Sequence, residues 1–234
     1  MIGQVAEPLV LLHGFGGTHR SWDQVLAQLP AERYRPVVAP DLPGHGARRA
    51  ERPVTFDACV RAVLADAPPG PFVLCGYSLG GRVAQHVALE APERVSRLVL
   101  VSASSGIEDP GERAARAAAD DELAEEIEPM TAEQFADRWR SLPVFDGTPD
   151  DALVAWRDDL MRTPPADLAA ALRGLTSGRM HVFGAEAFAM PVIRLVGERD
   201  ARYRALAGPD AIVVPGAGHG LLREAPAAVA EAIG

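Results

Sequence analysis

The pentapeptide Gly76-Tyr77-Ser78-Leu79-Gly80 constrains this chain most, because it joins an apolar run at 72–75 to a helical pattern at 79–90. A strand that turns directly into a helix holds its central residue in a strained conformation, so small residues must flank it. The neighbouring sequence supplies what such a turn needs. Short apolar blocks at 8–12, 36–40 and 97–101 alternate with helical spacing at 21–29 and with a helix that Thr55 can cap. Strand-length runs alternating with amphipathic helices predict an α/β class fold, a mostly parallel central sheet flanked by helices.

The texture changes after the block at 97–101. Residues 106–187 carry no strong strand pattern and are rich in Ala, Glu, Asp, Arg and Pro. Helices are expected at 110–127, 131–140, 150–161 and 166–174, broken by Pro129, Pro143 and Pro164-Pro165. Phe135, Trp139, Phe145, Leu153 and Trp156 give this segment something to bury, so it reads as an inserted helical cap. The core is then 1–105 and 188–234, with further strands at 191–196 and 211–214 and a closing helix at 223–233.

Composition excludes several classes. The 234 residues are enough for one ordinary domain with an insertion, and the net charge of −9 disfavours a nucleic-acid binder. No apolar run reaches the ~18–20 residues of a membrane span, and residues 1–7 lack a signal-peptide pattern, so a cytoplasmic protein is expected. The 2 cysteines, Cys59 and Cys75, read as buried small hydrophobes, and no histidine has partners at metal-ligand spacing. No metal or cofactor is expected.

The turn would lift the Ser78 hydroxyl above the sheet and aim the Leu79 amide at developing negative charge. A serine needs a base. Of the 6 histidines, His219 lies in a glycine-rich loop after the last strand, and Asp200 ends the preceding strand, with Glu198 as its rival. The second oxyanion donor is assigned to the Phe15 amide in His13-Gly14-Phe15-Gly16-Gly17, where His13 itself reads as structural. Asp41 reads as the acceptor of its own turn. Arg82 lies one helical turn after Ser78 on the same face, where a guanidinium suits capture of a carboxylate, or else snorkels to solvent.

With the order Ser78, Asp200, His219, these residues resemble the α/β-hydrolase superfamily over nearly the whole chain apart from the cap. The run from Tyr77 to Ala84, Glu112-Arg113-Ala114-Ala115-Arg116, the run from Trp139 to Phe145, the stretch 157–178 and the run from Gly197 to Leu206 resemble, more narrowly, the 2-succinyl-6-hydroxy-2,4-cyclohexadiene-1-carboxylate synthase family of menaquinone biosynthesis. That resemblance implies a lyase. The triad would remove a proton from a small anionic substrate so that pyruvate is eliminated, Arg82, Arg116 and Arg157 would bind carboxylates, and Tyr77, Trp139 and Phe145 would line the pocket. The loop after His219 departs from the family, with Leu222 where a second histidine is usual.

Read from the residues alone, Arg116 and Arg157 fit a solvated ion-paired face equally well, and Trp139 and Phe145 fit the cap's own core. A serine hydrolase acting on a small ester, thioester or lactone is the main alternative, and a non-catalytic binder the third. A monomer or weak dimer is expected, with no nucleic-acid or membrane partner.

Overall fold

The computed structural model describes residues 6–142, 146–184 and 186–234. Among these residues six strands form one sheet in the order β2-β1-β3-β4-β5-β6: β1 (Glu7–Leu12), β2 (Tyr34–Val38), β3 (Phe72–Tyr77), β4 (Val95–Val101), β5 (Val192–Gly197) and β6 (Ile212–Val214). Every pairing is parallel. A parallel sheet is buried on both faces, and the side-chain alternation shows it. Val10, Leu12, Leu74, Leu98 and Leu100 enter one hydrophobic cluster, while Leu9, Leu11, Val73, Cys75, Val99 and Val101 enter the cluster on the opposite face.

Helices α2 (Phe56–Asp66) and α3 (Leu79–Glu90) cover the first face, and Thr55 caps α2 by accepting the Ala58 N–H at 3.2 Å. The other face is covered by the short α1 (Asp23–Leu26) and the C-terminal helices α9 (Leu221–Glu224) and α10 (Pro226–Ile233). Between β4 and β5 come α4 (Pro110–Ile127), α5 (Ala132–Arg140), α6 (Asp150–Leu160) and α7 (Pro165–Gly174). These helices share a cluster of their own around Phe135, Trp156, Leu160 and Leu168. Helix α7 serves both layers: Leu168 and Leu172 face the cap cluster, whereas Ala171 and, just beyond it, Leu175 pack in the core.

Register brings the carboxyl ends of the strands together, with Leu12 opposite Gly76, Tyr77 opposite Val101 and Gly197 opposite Val214. The strand order reverses between β1 and β3, which opens a crevice at that edge, the usual ligand position in such sheets.

Three elements differ from the sequence pattern. The stretch expected as a helix at 21–29 is a 3-10 turn, His19–Trp22, followed by the single turn of α1, because a Thr18–Ser21 capping box starts the coil early. Strand β2 begins at Tyr34 instead of residue 36, drawn back by its pairing with Glu7. The closing helix starts at Leu221 and breaks at Ala225 (φ −147°), because Pro226 disfavours helical geometry in the residue before it. Cys59 and Cys75 are buried free thiols, and burial pushes the Cys59 thiol up to about 12. Among the described residues no helix is long and apolar enough to cross a membrane.

Candidate active site

Ser78 sits between β3 and α3 at φ 51°, ψ −111°, a conformation that costs a non-glycine residue strain. Its N–H donates to the Val101 carbonyl at 2.8 Å, and its carbonyl accepts the Arg82 N–H at 3.1 Å, so one residue ends the ladder and starts the helix. The flanking glycines are required by close approach. A Cβ on Gly76 would strike the Gly80 carbonyl, and one on Gly80 would strike the carbonyls of Leu12 and His13.

Asp200 caps α8 (Ala201–Leu206) at the end of the β5 turn. One carboxylate oxygen accepts the Tyr203 N–H at 3.3 Å, and the other accepts from His219 Nδ1 at 2.6 Å. That contact fixes the tautomer: Nδ1 carries the proton, and Nε2 faces Ser78 Oγ at 3.1 Å as an acceptor. Asp200 and His219 are both buried. The imidazole lies between the rings of Tyr77 and Tyr203, at centroid distances of 5.6 and 4.5 Å. Glu198 turns elsewhere and accepts the Gly216 N–H at 2.8 Å.

Leu79 is the first residue of α3 and Phe15 follows β1; among the described residues neither N–H has a hydrogen-bond acceptor. The loop beneath Phe15 is held by His13, whose Nε2 accepts the Leu42 N–H at 3.0 Å while Nδ1 donates to the Gly14 carbonyl at 2.8 Å. Burial lowers the pKa of His13, and it drives that of His45 down to about 3, so both are neutral struts. Asp41 accepts from the N–H groups of His19 and Ala47 at 2.7 and 2.8 Å, stabilising its turn.

Above Ser78 is a cavity of about 710 Å³, lined by the triad together with Phe15, Tyr77, Leu79, Arg82, Arg116 and Trp139. Arg82 is half-buried, and among the described residues it has no ion-pair partner. Burial pulls its guanidinium below the ordinary arginine range. An unpaired, desolvated cation gains from any anion brought beside it. Arg116 donates through Nε to Asp120 at 2.8 Å, and Asp120 also accepts from the Thr176 hydroxyl. The Nη atoms of Arg116 have no hydrogen-bond partner among the described residues.

Arg157 is elsewhere. Its Nη1 pairs with Asp137 at 2.6 Å, and its side chain borders a separate cleft of about 190 Å³ between α5 and α6. The physical reason is helix phase: on α6, Trp156 turns towards the cavity, and the next residue is rotated off that face. Phe145 lies outside the described residues. Trp139 lines both clefts and packs on Phe15 at 4.6 Å, so the cap-core and pocket-wall readings of this residue coexist.

Sequence reasoning assigned no role to Arg199, Arg202 or Tyr203, which also line the cavity. Their position two or three residues past Asp200, and directly before it, was the available signal. Among the described residues no cluster of three His, Cys, Asp or Glu side chains could hold a metal ion.

A strained serine at a strand–helix turn, a buried acid–imidazole pair and two free amides over the carboxyl edge of a parallel sheet define a class. The chain belongs to the alpha/beta hydrolase family, whose model it matches over residues 9–232. It is an enzyme. Among curated proteins it is similar to the 2-succinyl-6-hydroxy-2,4-cyclohexadiene-1-carboxylate synthase of Enterobacter sp. (strain 638), with 36% identity over 95% of this chain and 88% of that protein. The synthase of Shigella dysenteriae serotype 1 is likewise 36% identical, over 94% of this chain and 90% of its own length. Among solved structures, MenH from S. aureus superposes with a TM-score of 0.87 at 25% identity, covering 98% of this chain and 92% of that one. A malate-bound thermophilic esterase from Thermogutta terrifontis gives 0.78 at 25% identity, covering 98% and 88%.

Proposed function

We propose that this enzyme is a lyase that eliminates pyruvate from a succinyl-enolpyruvyl-hydroxycyclohexene-dicarboxylate, giving 2-succinyl-6-hydroxy-2,4-cyclohexadiene-1-carboxylate in the cytoplasm. The observation that carries this reading is the unpaired Arg82 guanidinium one turn from Ser78, with Arg116 beside the same cavity. A site for neutral esters gains nothing from a desolvated cation, whereas a polycarboxylate supplies its missing partner. The similarity to the named synthases supports the same assignment.

In this reading Ser78 Oγ, relieved of its proton by His219 Nε2, abstracts the acidic hydrogen next to the substrate carbonyl. Asp200 keeps the imidazole in the receptive tautomer and stabilises its charged form. The oxygen that becomes enolate-like is received by the free N–H groups of Phe15 and Leu79, donors that need not reorganise. The electron pair then returns to form the ring double bond as the carbon–oxygen bond breaks. Pyruvate departs as its enolate and takes a proton from the His219 imidazolium, Ser78 keeps the proton taken from the substrate, and no acyl-enzyme forms. Tyr77 and Trp139 wall the cavity around the ring.

The triad with its two free amides is also sufficient for ester hydrolysis, and the esterase neighbour shares the fold, which makes a serine hydrolase the second reading. Pyruvate release by wild type and Arg82→Ala separates the two. The lyase should lose about 100-fold or more in kcat/KM on the polycarboxylate, while any hydrolysis of p-nitrophenyl acetate stays within about threefold. A wild-type enzyme that shows an acyl-enzyme burst on small esters and releases no pyruvate would overturn the lyase.

A further inference from the structure

Glu224 ends α9 and folds back under the His219 loop with its side chain only 2% exposed. Its Oε2 accepts the Gly218 N–H at 2.7 Å, and its Oε1 accepts the Gly220 N–H at 3.0 Å. The N–H groups of the two residues that flank His219 therefore end on one carboxylate. We propose that Glu224 is the positioning residue of His219, a bidentate brace that holds the imidazole at hydrogen-bonding distance from Ser78.

The loop needs such a brace. Gly216, Gly218 and Gly220 surround the histidine, and glycine backbones carry the largest conformational freedom of any residue. The same glycines make the brace possible, since a Cβ at Gly218 or Gly220 would come within 3.1 or 2.9 Å of the Glu224 carboxylate. A buried carboxylate is costly unless its charge is compensated. Arg199 compensates it, donating through Nη2 to Oε2 at 2.8 Å. The same guanidinium donates through Nε to the Gly216 carbonyl at 3.0 Å, and the Arg199 backbone N–H meets the Ala217 carbonyl at 2.9 Å. Arg199 immediately precedes Asp200, so a single ion pair ties the turn carrying the acid to the loop carrying the base. Neither Glu224 nor Arg199 need touch the reacting atoms for this role; both act through the placement of His219.

The inference rests on His219 serving Ser78 as base and is indifferent to whether elimination or hydrolysis follows. Its test uses a fluorophosphonate probe, which reports activation of Ser78 without requiring the natural substrate. Glu224→Gln keeps the length of the side chain but turns an amide NH₂ towards a donor. The maximal labelling rate should fall about 30- to 100-fold with probe affinity within twofold, the loss expected when a catalytic group drifts by roughly 1 Å. The downfield Nδ1–H proton resonance of His219 should broaden or vanish in the same variant while the circular dichroism spectrum is retained. Glu224→Asp, which keeps the charge for Arg199 but is too short to reach both amides, should lose rate by a smaller factor and decides the matter if the glutamine variant does not fold. Wild-type labelling and an intact resonance in either folded variant would overturn the proposal. A wild-type enzyme whose Ser78 does not label at all would instead remove the triad reading beneath it.

Discussion

The site has two walls built on different principles. The sheet wall carries Ser78, Asp200, His219 and the two amides on segments leaving the carboxyl ends of β1, β3, β5 and β6, and it is fixed by ladder hydrogen bonds and glycine-close contacts. The cap wall carries Arg116, Trp139 and Trp156 on helices joined by ion pairs such as Arg157–Asp137 and Arg173–Glu128, whose members are 36–73% exposed. Solvent screens such pairs, so each adds little. The difference teaches a division of labour: backbone geometry fixes Ser78, Asp200, His219 and the two amides, and helices with weaker mutual ties form the facing wall of the cavity.

One contact breaks the contrast. Asp159 on α6 is buried and accepts from the hydroxyls of Thr18 and Ser21 at 2.6 and 2.5 Å and from Arg223 at 2.8 Å. It pins the cap at once to the turn after the Phe15 loop and to α9.

The largest effect should come from the sheet wall. Gly80→Ala forces a methyl group into the Leu12 and His13 carbonyls and should cost more than about 4 kcal/mol, seen as loss of native protein by circular dichroism and urea titration. A folded, active G80A enzyme would show that this wall is softer than described. Asp159→Ala comes next, with an expected loss of about 3–5 kcal/mol in urea unfolding, because Arg223 is left buried without its counter-charge. If it cost no more than a surface pair, the cap would have no buried anchor. The smallest effect belongs to Arg157→Ala, whose kcat/KM should stay within about twofold of wild type, as for a surface change. A tenfold loss would return this arginine to the substrate site and blur the contrast.

Legibility followed the same line. The triad positions were readable because each follows a short apolar run, and a parallel sheet delivers the ends of such runs to one edge. The cap helices were readable from their spacing and proline breaks, and each starts and stops within a residue of the expected bounds. The direction of an arginine on them was not. Arg116 and Arg157 each sit among acids on charge-rich helices, where no strong apolar stripe sets the phase, so the sequence leaves their facing open. The Glu224 brace and the Asp159 anchor join segments remote in sequence or in a different element, and local periodicity carries no trace of such contacts.

Phe15 belongs to both walls. It borders the cavity above Ser78, while its ring rests on Trp139 at 4.6 Å and contributes to the cap's apolar cluster as well as to the core. Losing the Trp139 ring would therefore strip an aromatic contact from the residue whose peptide is proposed to meet the nascent anion. A substitution that displaces α5 is therefore expected to weaken the proposed donor even with Ser78, Asp200 and His219 in place.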